Sequence, residues 1–397
     1  MKRYDIFCTV IDNYGDAAVS WRLARQLSDE SGVFVRLWID DLNTLAALVP
    51  EVLPDFPNQF VKNIHVCQFD GDEIDGNALS EPNAPITVIA AFGCRLPASY
   101  LTAMAAMRPA PRWINLEYLS AESWVESCHL LPSPHPKLPI TQTFYFPGFT
   151  ETTGGLLRER DLIQRRDAFQ NDPAAQHEFW QQLGCHLPQH AIKISLFGYA
   201  HAPLCDTLHA WAQSTETVCC IIPHSPLAQV AQTLPAWVKQ KLHLQILPFL
   251  NPADYDRLLW ACDANFVRGE DSLVRALWAG RPVVWNIYPQ EENAHATKLD
   301  AFLERQLACA DPSTSNVVRN FARTWNGLYH DQTAALAWLE LLPTLRVLQG
   351  TWSDELSSQP DLVTRLGIDP TVVSPVAIPA TTGRSGCSCR GRTVRTD

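Results

Sequence analysis

The chain has 397 residues, of which 46% are hydrophobic and 18% are charged, and its formal net charge at pH 7 is −11. This length suits two domains of ordinary size, and the apolar content is enough to form a sizeable core in each. The acidic balance argues against general nucleic-acid binding and leaves room for a basic protein partner.

Cysteine usage and the start of the chain indicate the compartment. Twelve cysteines are scattered along the sequence, mostly within apolar runs, as expected of buried thiols in a reducing environment. The first five residues lead into a short strand and not into a long apolar segment, so we expect neither a signal peptide nor a membrane span. The sequence therefore predicts a cytoplasmic protein that does not contact a membrane.

The first part of the chain alternates short apolar runs with helical patterns, which predicts an α/β fold. The expected strands are 4–10, 33–39, 64–69, 86–92 and 113–116. Asp16 stands at the expected N-cap of a helix that begins at Ala17. Polar residues at 115–120 follow a strand directly, where α/β sheets place their sites, although a capped turn would have the same composition. The segment 131–155 is rich in proline and glycine and predicts an irregular crossing to a second domain.

The second part repeats the alternation after a polar helical region at 158–183. Its expected strands are 192–197, 218–222, 244–247, 264–267 and 283–287. Long helices are expected at 294–306 and 317–348, the last of them returning to the first domain. We therefore expect two Rossmann-like, doubly wound domains, 1–155 and 156–350, and a disordered tail over 366–397, which is rich in proline, serine, threonine and glycine.

The run 265–272 changes from apolar strand to charged turn to helix start, and it predicts a phosphate site. The free N–H groups of a helix start outside the carboxyl edge of a parallel sheet bind a diphosphate well. Arg268 would add a charged contact, and Ser272 suits the N-cap. In the alternative, Arg268 pairs with Asp271 and Ser272 only caps the helix.

Two such domains facing across a cleft match the plan of a GT-B glycosyltransferase, with the donor in the second domain. The reaction needs a held diphosphate and an opposing carboxylate. Asp12 and Asp16 follow the first strand and are candidates. In the alternative, Asp16 only caps a helix and Asp12 only stabilises a turn. The chain has no Gly-x-Gly-x-x-Gly after the first strand and no Walker P-loop. His129, His135, His224 and His295 lack ligand-spaced partners, so we expect no metal site.

Several runs together resemble one family, the bacterial protein-arginine rhamnosyltransferases that modify elongation factor P. The resemblance covers roughly residues 1–348 and is most specific in 254–260, 268–272 and 287–291. The runs that carry it are Asp12-Asn13-Tyr14-Gly15-Asp16, Ile114-Asn115-Leu116-Glu117-Tyr118-Leu119-Ser120, Pro147-Gly148-Phe149-Thr150, Ser195-Leu196-Phe197-Gly198-Tyr199, Asp254-Tyr255-Asp256-Arg257-Leu258-Leu259-Trp260, Arg268-Gly269-Glu270-Asp271-Ser272 and Ile287-Tyr288-Pro289-Gln290-Glu291.

The resemblance implies a GT-B fold and metal-independent transfer of rhamnose from dTDP-β-L-rhamnose to one arginine of elongation factor P, with inversion and without a cofactor. It implies that Asp16 is the general base, with Asp12 beside it, and that Glu270 contacts the donor ribose or the reacting sugar. The implied donor-binding residues are Tyr14, Gly15, Phe197, Tyr199, Arg268, Gly269, Asp271, Ser272 and Tyr288. Without the resemblance, the aromatic residues among them would be attributed to ordinary core packing.

Departures from the family pattern keep other functions open. Pro252 stands where a glutamine near the nucleotide is expected, and Leu273 and Leu277 stand where Phe and Gln are expected. One alternative is a GT-B enzyme with another acceptor or another nucleotide sugar. The other is a protein that binds a nucleotide sugar without turnover, against which the presence of Asp12, Asp16 and Glu270 together argues.

Overall fold

The computed structural model describes residues 2–11, 14–70, 74, 79, 84–188, 190–290 and 294–367. Within these residues the chain forms two sheets, one after the other. The elements of the first are β1 (Arg3–Cys8), α1 (Gly15–Ser31), β2 (Phe34–Ile39), α2 (Leu42–Leu48), β3 (Asn58–Val61), β4 (Ile64–Gln68), β5 (Thr87–Ala91), α3 (Ala98–Ala106), β6 (Arg112–Leu116), α4 (Trp124–Cys128), β7 (Pro132–Pro134) and β8 (Thr141–Tyr145).

The first sheet is doubly wound, with the strand order β3-β4-β2-β1-β5-β6-β8-β7 among the described residues. β1 pairs in parallel with β2 on one side and with β5 on the other, so the order reverses between β1 and β5. Helices cover both faces, and the side chains of β1 alternate between two cores: Ile6 packs in one and Phe7 in the other. The crevice of such a sheet opens at the carboxyl ends of the strands that flank the reversal.

The second part of the chain contains a smaller sheet and most of the helices. Its elements are α5 (Leu162–Gln170), α6 (Pro173–Gln182), β9 (Ile192–Leu196), α7 (Leu204–Trp211), β10 (Val218–Ile222), α8 (Pro226–Gln232), α9 (Ala236–Lys241), β11 (His243–Ile246), α10 (Pro252–Ala261), β12 (Ala264–Arg268), α11 (Gly269–Trp278), β13 (Val283–Asn286), α12 (His295–Gln306), α13 (Pro312–Trp325), α14 (Ala334–Glu340), α15 (Leu342–Ser358) and α16 (Leu362–Gly367).

The second sheet is parallel throughout its described strands, in the order β11-β10-β9-β12-β13. Its order reverses between β9 and β12, so the segments that follow these two strands flank its crevice. Both sheets thus form the expected α/β, doubly wound architecture, and each places its crevice at the end of its own central strands.

Buried thiols agree with the cysteine pattern of the sequence. The ten cysteines among the described residues are free. Seven are buried, and only Cys205 and Cys309 are exposed.

The irregular crossing predicted over 131–155 is wrong for the first half of that segment. β7 and β8 lie there and extend the first sheet, β8 in parallel with β6 and β7 antiparallel to β8. Proline cannot donate to a strand ladder, and β7 carries its two prolines at the edge of the sheet, where that defect is tolerated. The turn-like composition therefore concealed an edge hairpin, and the crossing itself begins after Tyr145.

The single long helix predicted over 317–348 is also wrong, because three helices occupy this region. α13 ends at Trp325, and Gly327 then adopts a left-handed φ of 70°, which terminates the helix without strain at a glycine. Pro343 lies in the first turn of α15, where a missing N–H costs nothing.

The chain returns to the first sheet through α16 and not through the long α15, which packs in the core of the second sheet. Leu362, Val363 and Leu366 of α16 are buried in the core beneath α1. The predicted disordered tail lies outside the described residues, except for its first two residues, which end α16.

The outgoing and returning segments lie side by side. A Cβ on Gly155 would stand 2.9 Å from the carbonyl oxygen of Pro360, and Gly155 has a φ of +75°. The amide of Leu362 donates to the carbonyl of Leu156 across 2.9 Å, and the Arg365 guanidinium donates to backbone carbonyls of 150–153. The two connections therefore form one paired strip between the sheets.

Among the described residues, no helix combines the length and the apolar character that crossing a bilayer requires.

Candidate active site

A cleft of about 660 Å³ lies between the two sheets. The start of α1 and residues from the segment after β9 line it, together with the start of α11, which follows β12 directly. These are segments at the reversal points of both sheets, as the topology requires. From the predicted donor-binding set, the cleft lining contains Tyr14, Gly15, Phe197, Tyr199, Arg268, Gly269, Asp271 and Ser272, and it also contains Glu270.

Asp16 lies in the first turn of α1 and is only 2% exposed. The expectation that it is the N-cap is wrong: the helix begins at Gly15, two residues before the predicted start at Ala17, and Tyr14 stands at the cap position without a side-chain bond to the helix. Oδ2 of Asp16 instead accepts from the amide of Ile11 across 2.9 Å. Its carboxylate therefore fixes the backbone of Ile11, which follows β1. Asp12, the second predicted carboxylate, lies outside the described residues.

The start of α11, where the sequence predicts an anion site, has a local geometry different from the expected one. The helix begins at Gly269, whose φ of 61° favours glycine, and Arg268 occupies the cap position in an extended conformation. Ser272 is not the N-cap, because its hydroxyl donates back to the carbonyl of Arg268. The first-turn amides of a helix lack partners within the helix, and here the first turn lines the cleft.

Asp271 belongs to a buried ion network that joins both halves of the molecule. Its carboxylate accepts from Arg275 at 2.6 Å and from Arg22 of α1 at 3.1 Å. Burial alone would raise the pKa of Asp271, but the two guanidinium groups hold it below its ordinary value. The negative side chain is thus already paired, so its backbone amide is the group that this residue can offer to a diphosphate.

The network continues on both sides of Asp271. Arg22 is 3% exposed and binds Glu159 with two bonds of 2.6 and 2.8 Å. Arg275 binds Asp256 of α10 with bonds of 2.9 and 3.0 Å. Negative and positive side chains alternate along this network, in the order Glu159, Arg22, Asp271, Arg275 and Asp256. Each buried charge is therefore compensated by an opposite charge.

Arg268 does not pair with Asp271, so the alternative interpretation of this turn is wrong. The Arg268 guanidinium lies 4.6 Å from the ring centroid of Phe197 and 5.1 Å from that of Tyr199. Both rings are half-buried at the cleft, which distinguishes them from core residues. Tyr288 stands edge-on to Tyr199 at 5.6 Å but is 53% exposed and lies outside the cleft lining. A cation and two aromatic faces suit a nucleoside diphosphate.

Glu270 is held from two directions. Oε1 accepts from Lys298 of α12 at 2.8 Å, and Oε2 accepts from the amide of Leu119 at 2.7 Å. Burial raises the pKa of Glu270, Lys298 and the Leu119 amide oppose that rise, and the negative charge of Asp16 adds to it. Asp16 and Glu270, one from each half of the molecule, therefore lie close enough to influence each other.

Comparison with known proteins identifies the family. The model of the elongation factor P (EF-P) rhamnosyltransferase family EarP matches residues 4–368. The chain belongs to the EarP family. Protein-arginine rhamnosyltransferases of Pseudomonas putida and Pseudomonas aeruginosa are both 42% identical to it, over 91% and 92% of this chain and 97% and 98% of theirs. That of Shewanella oneidensis is 38% identical, over 92% of this chain and 96% of its own.

Solved structures agree with this membership. A structure that describes EarP-mediated arginine glycosylation of translation elongation factor EF-P is 32% identical, with a TM-score of 0.62 over 92% of this chain and 97% of that one. A glycosyltransferase from Rickettsia africae, at 10% identity and a TM-score of 0.55 over 92% and 96%, shares the fold alone. The chain is a glycosyltransferase with a GT-B fold, as its sequence predicts.

One departure from the EarP pattern lies within the cleft. Pro252 lines it as the first residue of α10, and Asn251 caps that helix by accepting from the amides of Ala253 and Asp254, each at 3.0 Å. Proline is favoured at this first position because no N–H is needed there. Proline is thus well accommodated by the helix, and it supplies no side-chain amide at the position where the resemblance predicts a glutamine.

The histidines named above have ordinary structural roles where their contacts are described. Nδ1 of His129, His135 and His295 accepts from the backbone amides of Phe146, of Lys137 and Leu138, and of Gln290 respectively. Burial lowers the pKa of His129 to about 4. His224 lines the cleft. Over the described residues, no group of three His, Cys, Asp or Glu side chains is arranged to hold a metal ion.

Sequence reasoning missed Arg22 and Lys298, which make the buried ion pairs of this EarP-family cleft. A signal for Arg22 exists, since it stands between Trp21 and Leu23 on a helix whose neighbouring residues are buried. Nothing in the sequence near Lys298 points to Glu270, because α12 meets α11 only in the folded chain.

Proposed function

We propose that this EarP-family enzyme transfers L-rhamnose from dTDP-β-L-rhamnose to an arginine side chain of elongation factor P, with inversion at the anomeric carbon and without a metal ion. The observation that carries the proposal is the cleft itself. The start of α11 lines it on the second-sheet side, where the proposed diphosphate site lies, and Gly15 of the first turn of α1 lines it on the first-sheet side. Asp16 lies in that same turn, but it is buried and is not itself among the residues that line the cleft.

The donor half of the proposal rests on α11 and the aromatic pair. The leaving dTDP gains negative charge as the bond between the anomeric carbon and the diphosphate oxygen breaks. The first-turn amides of α11 and the Arg268 guanidinium stabilise that charge, and Phe197 and Tyr199 provide flat faces for the thymine ring. Tyr14 and Gly15 line the same cleft from the α1 side. The exposed Tyr288 does not line the cleft, but its ring contacts the ring of Tyr199, which does.

The acceptor half rests on carboxylates. An arginine guanidinium stays protonated near neutral pH and is therefore a poor nucleophile. In the proposed reaction a guanidinium nitrogen attacks the anomeric carbon from the face opposite the diphosphate, and its proton passes to Asp16, with Asp12 beside it. Glu270, at the boundary of the two halves, contacts the ribose or the reacting sugar.

The experiment is an intact-mass measurement of purified elongation factor P after incubation with this protein and dTDP-β-L-rhamnose, with a reaction lacking donor as control. We expect one added deoxyhexose, mapped to arginine by fragmentation, and an α-linked product by NMR. Transfer should persist in excess EDTA. An unmodified acceptor in the presence of bound dTDP would contradict the proposed acceptor and favour the non-catalytic alternative.

Pro252 gives a specific reason to test the donor separately. The same reaction is therefore repeated with UDP-β-L-rhamnose at matched concentration. Faster transfer from UDP-β-L-rhamnose would show that the assignment of dTDP as the donor nucleotide is wrong. The assignment of elongation factor P as the acceptor would be unaffected.

A further inference from the structure

The two carboxylate oxygens of Glu270 are held by different parts of the molecule. Lys298 belongs to α12 of the second half and contacts Oε1 at 2.8 Å. Leu119 follows β6 of the first sheet, and its amide contacts Oε2 at 2.7 Å. Each contact fixes one oxygen, so together they fix both the position and the rotation of the carboxylate at the cleft.

The surroundings of Lys298 are suited to holding a cation in place. Its ammonium nitrogen lies 5.9 Å from the ring centroids of both Tyr118 and Trp285, at the outer range of cation–π attraction. The Lys298 side chain is 22% exposed and that of Glu270 is 18% exposed. A pair so shielded is screened by salt much less than a surface pair.

Without a cation here, an ionised Glu270 would be unfavourable. The carboxylate is partly shielded from solvent at the boundary of the two halves, and Asp16 of α1 adds a second negative charge to its surroundings. Lys298 is the charged group that opposes both effects, and the neutral Leu119 amide assists it. Lys298 is not among the described residues that line the cleft, and its contact with Glu270, which does line it, connects the ammonium group to the site.

We propose that Lys298 is a positioning residue for glycosyl transfer, which keeps the Glu270 carboxylate ionised and aimed into the cleft. This inference rests on the proposed function, in which Glu270 contacts the donor or the reacting sugar. No covalent step involves Lys298. Its contribution is to determine which protonation state Glu270 has when the donor binds.

The test is the pH dependence of kcat for rhamnose transfer in Lys298→Met and in the wild type. Removal of an opposite charge at this distance should move the acid limb of the profile upward by roughly 1 to 3 pH units, with activity recovering at higher pH. Lys298→Arg, which restores the charge, should retain the wild-type limb. Lys298→Gln keeps a hydrogen-bond donor but not the charge, so its acid limb should shift as in Lys298→Met. This variant is used in place of Lys298→Met if the latter does not fold.

A matched control is available on the same helix. Arg305 of α12 pairs with Glu126 of α4 at 2.7 Å and thus also ties α12 to the first half, but it does not contact Glu270. Arg305→Met should leave the acid limb where it is in the wild type. An equal shift in Arg305→Met would mean that loosening α12 is sufficient, and it would overturn the inference.

A second measurement does not depend on turnover. The carboxyl carbon of Glu270 is titrated by 13C NMR in protein labelled at glutamate, with the signal assigned by its loss in Glu270→Gln. The inference requires a higher Glu270 pKa in Lys298→Met than in the wild type, and an unchanged value would refute it.

If Glu270→Gln transfers rhamnose normally, the proposed role of Glu270 fails. If Glu270→Gln is inactive while Lys298→Met keeps the wild-type profile, only the role of Lys298 fails.

Discussion

Arg22 and Asp271 join the two halves of the molecule directly beneath the cleft, with Nη1 of Arg22 donating to Oδ1 of Asp271 across 3.1 Å. Arg22 lies on α1, which also carries Asp16, and Asp271 lies in the first turn of α11. The contact therefore sets the spacing between the helix that presents the proposed base and the helix that presents the proposed diphosphate site.

Arg22→Met should lower the free energy of unfolding by about 3 kcal/mol, because it leaves the Glu159 carboxylate without its arginine in a largely buried site. Urea denaturation monitored by tryptophan fluorescence measures this loss. Arg25→Gln is the control, since Arg25 lies on the same helix but pairs with Asp29 at the surface. That variant should lose no more than about 0.5 kcal/mol. Equal losses in the two variants would contradict a buried network.

Asp16→Asn should abolish rhamnose transfer while leaving dTDP binding intact. The amide oxygen of asparagine can still accept from the Ile11 amide, so the loop after β1 should keep its conformation. Intact-mass analysis measures transfer, and isothermal titration calorimetry measures dTDP affinity. Normal turnover in this variant would show that Asp16 is not the base.

Arg268→Ala should weaken dTDP binding by about tenfold to a hundredfold, since a charge-assisted hydrogen bond contributes roughly 1.5–3 kcal/mol. Arg257→Ala is the matched control. Arg257 also lies over an aromatic ring, that of Phe179 at 5.1 Å, but it does not line the cleft. Calorimetry should show unchanged dTDP affinity for the control. An unchanged affinity in Arg268→Ala would remove Arg268 from the diphosphate site.

Pro252→Gln should strengthen dTDP binding by up to about tenfold, because it restores a side-chain hydrogen bond worth roughly 0.5–1.5 kcal/mol. Asn251 still caps α10 in this variant, so the helix start should survive the loss of proline. The measurement is dTDP calorimetry on both proteins at one pH and salt concentration. Equal affinities would indicate that the cleft of this enzyme does not use a side chain at position 252.

Continuous apolar runs made most central strands predictable. The runs at 218–222 and 264–267 correspond to β10 and β12, because strands buried on both faces carry apolar residues without alternation. The edge strands β3 and β7 of the first sheet were not predictable in this way. β7 consists of Pro132, Ser133 and Pro134, a composition that indicates a turn until its pairing with β8 is known.

The cleft was predictable where it depends on topology and not where it depends on tertiary ion pairs. Residues after β9 and β12 line it because reversal points of doubly wound sheets form crevices. Capping rules misplaced Asp16 and Ser272, since their side chains bond to Ile11 and Arg268 and not to the expected helix amides. Arg22 and Asp271 are 249 positions apart, and no local pattern relates residues at that separation.

The paired strip between the sheets determines how the cleft can open. One connection alone would let the halves swivel in any direction, but Leu156 and Leu362 are bonded across the two connections, and Gly155 packs against Pro360. Two polypeptide segments fixed to each other resist both twisting and sliding of one half past the other. We expect any movement that admits donor and acceptor to be a rocking about this strip, while the Arg22–Asp271 contact keeps α1 and α11 at one spacing.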